Sequence, residues 1–250
     1  MRQALKAEFR KLLSVRSTYI VTAFSLGLVV LFAFYIEGFR LTASDYAKPD
    51  MLSTAVSGAV TTIAIFGAIV AILLMTHEYR YNTIMYTLTS SNSRSKVLLA
   101  KIITISVYAI VLTALVSVLS PALTYLGVHA AGHTPGHQVI HYSNLAWRSL
   151  FYGWGEAMMG LIIATIARSQ VGSIAAIFLI PGAIEQLLAL LLKTNAVYLP
   201  FTALSQVLGD SPPIRGGYLA PSRAALVFGS YLLGGWIIAW ILFLRRDATN

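Results

Sequence analysis

Six stretches of about 20 mostly apolar residues divide this chain, each long enough to cross the hydrocarbon core of a bilayer as a helix. They start near Thr18, Ala55, Val97, Leu145, Val171 and Ala224 and end near Ile36, Thr76, Val128, Ala167, Leu192 and Leu244. In lipid, every backbone N–H and C=O of such a run must be satisfied within the segment, which makes the α-helix its natural form. The expected fold is an all-α membrane protein: a six-span transmembrane helix bundle in which residues 1–250 form one domain. Composition argues against a soluble alternative. The chain is 57% hydrophobic and 11% charged, with a mean hydropathy of +0.74. A water-soluble domain carries roughly 25% charged residues. The first run is too long for a signal-peptide core and is read as a retained span.

The net charge is +9. The basic residues flank apolar runs instead of forming one patch, so anionic lipid headgroups are the expected partners and nucleic acid is not. With no cysteine in the sequence, disulfides, Cys-based zinc sites and thiol catalysis are excluded. An even number of spans puts both termini on one side. That side gathers Arg2, Lys6, Arg10, Lys11, Arg16, Arg80, Arg94, Lys96, Lys101, Arg168, Arg245 and Arg246, twelve basic residues in all. The other side keeps six, namely Arg40, Lys48, Arg148, Lys193, Arg215 and Arg223. Because short cytoplasmic loops are enriched in Lys and Arg, both termini are expected in the cytoplasm, with the chain in the plasma membrane.

Two segments are more than plain spans. In residues 1–16, Leu5, Phe9, Leu12 and Leu13 share one helical face while Arg2, Lys6 and Arg10 lie away from it. That is the pattern of an amphipathic interfacial helix on the inner leaflet. The loop 77–96 opens with His77, Glu78, Tyr79 and Arg80 against the membrane. Glu78 and Arg80 are candidates to pair with each other or with a partner protein. Ile84, Met85 and Leu88 give a short helix one apolar face, suited to docking a cytoplasmic partner or to packing on the membrane surface.

Within the spans, Glu156 and Glu185 stand out, since a carboxylate at mid-bilayer costs roughly 2.5–3.5 kcal/mol by insertion scales and usually faces water or a partner. Glu156, deeper in its run, is the better candidate for substrate or proton contact; a structural hydrogen bond is the alternative. Pro181-Gly182 should kink or break the fifth span. Gly67 with Ala71, and Gly229 near Gly234 and Gly235, have the spacing of close helix packing. His129, His133, His137 and His141 recur every fourth residue, so a continuous helix would place their imidazoles on one face as weak metal candidates. Gly132, Pro135 and Gly136 argue against such a helix, and a solvated loop is the plainer reading.

Three stretches together resemble the permease subunits of type-2 ABC exporters. The opening A-E-F-R-K-L-L-S-V-R-S-T is similar to the family's amphipathic first helix. E-Y-R-Y-N-T-I (Glu78 to Ile84), with Ser93-Arg94 and V-L-L-A-K (Val97 to Lys101), resembles its cytoplasmic loop, and L-F-L-R-R-D-A its last span and tail. The resemblance implies a six-span subunit working as a homodimer or heterodimer over two separate ATPase subunits. It makes Glu78, Tyr79, Arg80, Thr83, Ile84 and Leu88 the coupling segment; Glu156, Glu185 and Pro181 are candidates for the substrate path on the separate ground of their place within the apolar runs. This chain has no G-x-x-x-x-G-K-[ST] and no Gly-Lys pair, so ATP and Mg are expected on the partner subunit and no cofactor on this chain.

Two other classes compete. An intramembrane enzyme is suggested by His77-Glu78, but Tyr81 stands where H-E-x-x-H needs its second histidine, and no G-x-S-x-G is present. A non-transporting immunity or assembly protein would share the same spans.

Overall fold

The computed structural model describes residues 1–81, 83–86, 93–209 and 217–245; Leu88, Arg215 and Arg246 lie outside them. Every regular element among the described residues is helical. Helix α1 (Arg2–Ser14) is joined to α2 (Arg16–Phe39) by one extended residue, Val15. After the short α3 (Ala43–Tyr46) come α4 (Met51–Arg80), α5 (Arg94–Ala130), α6 (Tyr142–Ala167), α7 (Gln170–Tyr198), α8 (Pro200–Leu208) and α9 (Pro221–Arg245). Six of these, α2, α4, α5, α6, α7 and α9, are long and apolar enough to cross a membrane. With its 37 residues, α5 is about 55 Å long at 1.5 Å per residue and outruns the roughly 30 Å hydrocarbon core.

The centre of the bundle is α4 against α6. In the apolar heart of each, 61% of residues are buried, against 17% in α2 and 11% in α7. The outward faces of α2 and α7 are therefore apolar surfaces left for lipid or another subunit. Packing is tightest where glycine removes a side chain. A Cβ on Gly160 would lie 2.7 Å from the Ala68 carbonyl oxygen, and one on Gly38 would lie 2.9 Å from the Gly127 Cα. These contacts bring α6 onto α4 and α2 onto α5 at backbone distance. The glycines singled out by spacing do not act this way. A Cβ on Gly67, Gly229 or Gly234 would meet nothing within 4 Å, and Gly235 faces only the Ile162 side chain. Spacing marks a small-residue face; it does not say whether another helix lies against it.

Pro181 does not break α7. The helix widens to a π turn over Ile180–Ile184, in which the Glu185 N–H reaches back to the Ile180 carbonyl. That turn accommodates the missing proline N–H while the helix continues. At the opposite end from the chain termini, the 131–141 loop is pinned and not free. Gly136 N–H donates to the Tyr46 carbonyl at 2.8 Å, Val139 N–H to that of Pro49 at 2.9 Å, and Gln138 bridges Lys48 and Leu52. Beside it, hydrogen bonds from Lys48 and then Thr42 hold the Asp45 carboxyl down to about 2, which keeps the α3 cap charged.

Gly160→Val should destabilise the detergent-solubilised protein by about 1–3 kcal/mol, because the overpacked side chain has a backbone carbonyl to displace. Thermal unfolding followed by size-exclusion chromatography measures the loss, whereas Gly229→Val, which meets open space, should leave it unchanged.

Candidate functional site

At the end of the bundle that carries the start of α1 and the end of α9, four charges meet, three of them buried and the fourth, Lys11, 35% exposed. Lys101, on the second turn of α5, is fully buried. Its ammonium donates to Glu8 Oε2 at 2.8 Å, to Glu78 Oε1 at 2.7 Å and to the Leu74 carbonyl at 3.3 Å, which uses all three of its N–H bonds. Lys11 closes the group, donating to Glu78 Oε1 at 2.6 Å and Glu8 Oε1 at 2.8 Å. Two carboxylates and two ammoniums leave the cluster neutral, which makes burial of each charge tolerable. One acceptor, Glu78 Oε2, has no partner among the described residues. The cluster joins α1, the last turns of α4 and the first turns of α5.

This geometry decides between the partners open to Glu78. Glu78 does not pair with Arg80; it is 5% exposed and held by two lysines. Arg80 instead donates to the Gln170 side-chain oxygen at 3.1 Å and lies over the Tyr81 ring. The stripe of α1 that packs on the bundle is centred on Glu8 and Leu12. Glu8 and Leu12 are buried, Leu5 and Phe9 are half-buried, and Leu13 is 62% exposed. Hydropathy alone cannot find a face whose centre is a carboxylate. Lys101 and Glu8 were missed for the same reason, although a lysine inside the run V-L-L-A-K-I-I was the available signal.

The rest of the 77–86 segment is fixed around this anchor. Arg168, in the left-handed region at φ 54°, sits over the Tyr79 ring at 5.1 Å and ties α4 to the α6–α7 turn. Thr83 N–H donates to the Glu78 carbonyl at 2.9 Å, and Ile84 is buried at 1% exposure. Tyr81, Met85 and Tyr86 stay exposed, Tyr86 at 77%. Arg94 donates to the Leu244 carbonyl at 3.1 Å, bringing the start of α5 to the end of α9. A cavity of about 960 Å³ opens beside this assembly, lined by Arg16, Val21, Leu73, His77, Arg80 and Ile174 among others.

The two membrane carboxylates have different environments. Glu185 is buried and capped by the start of α8: it accepts from Phe201 N–H and Thr202 N–H, both at 2.8 Å, and from the Thr202 hydroxyl at 2.7 Å. A carboxylate there satisfies orphan amide donors and faces the positive end of the helix, the contacts of a helix cap. Glu156, equally buried, opens onto a cavity of about 390 Å³ shared with Pro181 and Glu185. The four histidines do not converge. His129 ends α5 against Tyr125, His133 stacks near Tyr46, and His137 and His141 follow on non-helical chain. Among the described residues no three His, Asp or Glu groups come together as a metal site.

A family model described as "ABC-2 family transporter protein" matches residues 4–181, which take in α1, the charge cluster and Glu156. The chain belongs to that family, and its six apolar helices make it a multi-pass membrane permease of the ABC-transporter class. Comparison with curated proteins returned no match.

Lys101→Met should cost about 3–5 kcal/mol, since it leaves buried carboxylates undercompensated. Adding Glu8→Gln to it keeps one Lys–Glu pair and should recover much of the loss. Thermal stability of the two variants in detergent decides the matter, and equal stability of Lys101→Met and the unaltered chain would contradict the cluster. Glu185→Ala should weaken the start of α8 by about 1–2 kcal/mol, seen as faster amide exchange at Phe201 and Thr202 with α4 and α6 unaffected.

Proposed function

We propose that this chain is the membrane-spanning subunit of an ATP-driven exporter, forming the translocation path and receiving its power stroke through residues 77–86 and the loop that follows. The observation that carries this reading is the anchoring of Glu78. A push on the exposed Tyr81, Met85 and Tyr86 surface reaches a segment bonded to α1 and α5 through Lys11 and Lys101. The same segment is held to the α6–α7 turn through Tyr79, and to α7 through Arg80. Rigid charge-assisted bonds at the base of the bundle move these elements as a unit. That suits a transition between two packings, each favoured by a different nucleotide state of the partner. In this reading Glu78 is a positioning residue, and contact with the ATPase falls to the exposed side chains and to the residues that follow, Leu88 included.

The ATPase, with its ATP and Mg, is a separate subunit. Both termini and the 77–96 loop face the cytoplasm, in keeping with the bias of basic residues. Helix α1 lies at the inner leaflet, with its Glu8–Leu12 stripe on the protein and Leu13 toward lipid. The apolar, little-buried faces of α2 and α7 provide the surface for a second permease, identical or related.

Because the chain has no cysteine, Tyr86→Cys creates one unique thiol. A membrane-impermeant maleimide should label it only after cells are opened, and a short bifunctional reagent should crosslink it to a co-purifying ATPase. Tyr86→Ala should lower stimulation of that ATPase several-fold while the protein still inserts and purifies. Labelling from outside intact cells, or undiminished stimulation, would defeat the assignment.

A further inference from the structure

We propose that the cavity walled by α4, α6, α7 and α8 is a binding site for a lipophilic organic cation, whose charge is balanced by Glu156. The inference rests on the permease reading only for its place on the transport path; the binding itself does not depend on it.

The cavity holds about 390 Å³ and mixes two kinds of wall. Ile177, Phe178, Pro181 and Phe201 supply apolar and aromatic surface, while Tyr152, Gln186, Thr202 and Ser205 supply polar groups. Two of the lining residues are acidic, Glu156 and Glu185, and none is Lys, Arg or His. Glu185 is already spoken for by three donors from the start of α8. Glu156 is only 4% exposed, and among the described residues no donor or cation reaches its carboxyl group. A buried carboxyl that ends in a cavity, near a second carboxylate and far from any base, keeps its proton until a positive charge arrives from elsewhere to replace it.

The chemistry of the walls selects the kind of cation. A hard metal ion is best served by several carboxylate and carbonyl oxygens; here Glu185 is already satisfied by three donors, and no three His, Asp or Glu groups converge among the described residues. Aromatic faces at Phe201 and Phe178 favour a diffuse, weakly hydrated charge of the quaternary type, by cation–π attraction and apolar burial. The opening formed beside the π turn at Ile180–Ile184 gives such a ligand room without breaking α7.

Tetraphenylphosphonium and tetraphenylborate have the same shape and opposite charge, and serve as the probes. Equilibrium dialysis with the purified full chain in detergent should show saturable binding of the phosphonium and none of the borate. Glu156→Gln should weaken phosphonium binding by about tenfold or more, and Glu156→Asp should restore part of it. Equal binding of the two probes, or unchanged binding by Glu156→Gln, overturns the site, since it leaves only partition into an apolar crevice or a neutral Glu156. Should the Gln variant fail to fold, the unaltered chain decides. Dicyclohexylcarbodiimide should modify Glu156, mapped by mass spectrometry, and saturating phosphonium should block that modification; no protection counts as disproof. A chain that binds no phosphonium yet still carries its ATPase loses the cation site and keeps the permease reading.

Discussion

An ammonium group with no access to water is the constraint around which the base of this bundle is arranged. Lys101 is fully buried, and removing a lone lysine from water is costly unless carboxylates and hydrogen bonds replace the lost hydration. Here they come from three places in the chain: Glu8 from α1, Glu78 from α4, and the Leu74 carbonyl. Lys11 then balances the second carboxylate. The arrangement leaves α1 docked against the start of α5 and the end of α4 fixed beside it. Replacing these groups by oily side chains could match its stability. What the ionic version adds is directionality, because each bond specifies which turn of which helix meets its neighbour.

The two membrane carboxylates show how one residue type acquires different roles from its surroundings. Glu185 sits where α8 begins and satisfies amides that would otherwise be orphaned near the membrane. It therefore behaves as part of the scaffold. Glu156 opens onto a cavity of mixed apolar and polar walls, where no hydrogen-bond donor among the described residues holds it. The π turn at Pro181 lies between them, widening α7 where the cavity needs space.

Much of this was legible from the residues. The six spans follow from local hydropathy, since a run of about 20 apolar residues answers to lipid whatever its neighbours do. The charges and aromatics of H-E-Y-R-Y at a membrane edge singled out the 77–84 segment, and Glu78 of that segment sits in the charge cluster. Arg80, one of the partners open to Glu78 from the sequence, is not the one it takes. A nearby opposite charge is the obvious partner in a sequence, but the side chains on the last turn of α4 point to different neighbours. Gly67 and Gly229 fitted a packing motif and face open space, while Gly160 and Gly38 carry the close contacts.

By itself, then, the sequence determined the class: a helical membrane protein with basic flanks. Only the tertiary structure decided which charges meet. Lys101 lies 93 residues from Glu8 and 23 from Glu78, and it separated the capped Glu185 from the open Glu156. The physical reason is range. Hydropathy acts residue by residue along the chain, whereas an ion pair or a cavity exists only once helices distant in sequence have been brought side by side.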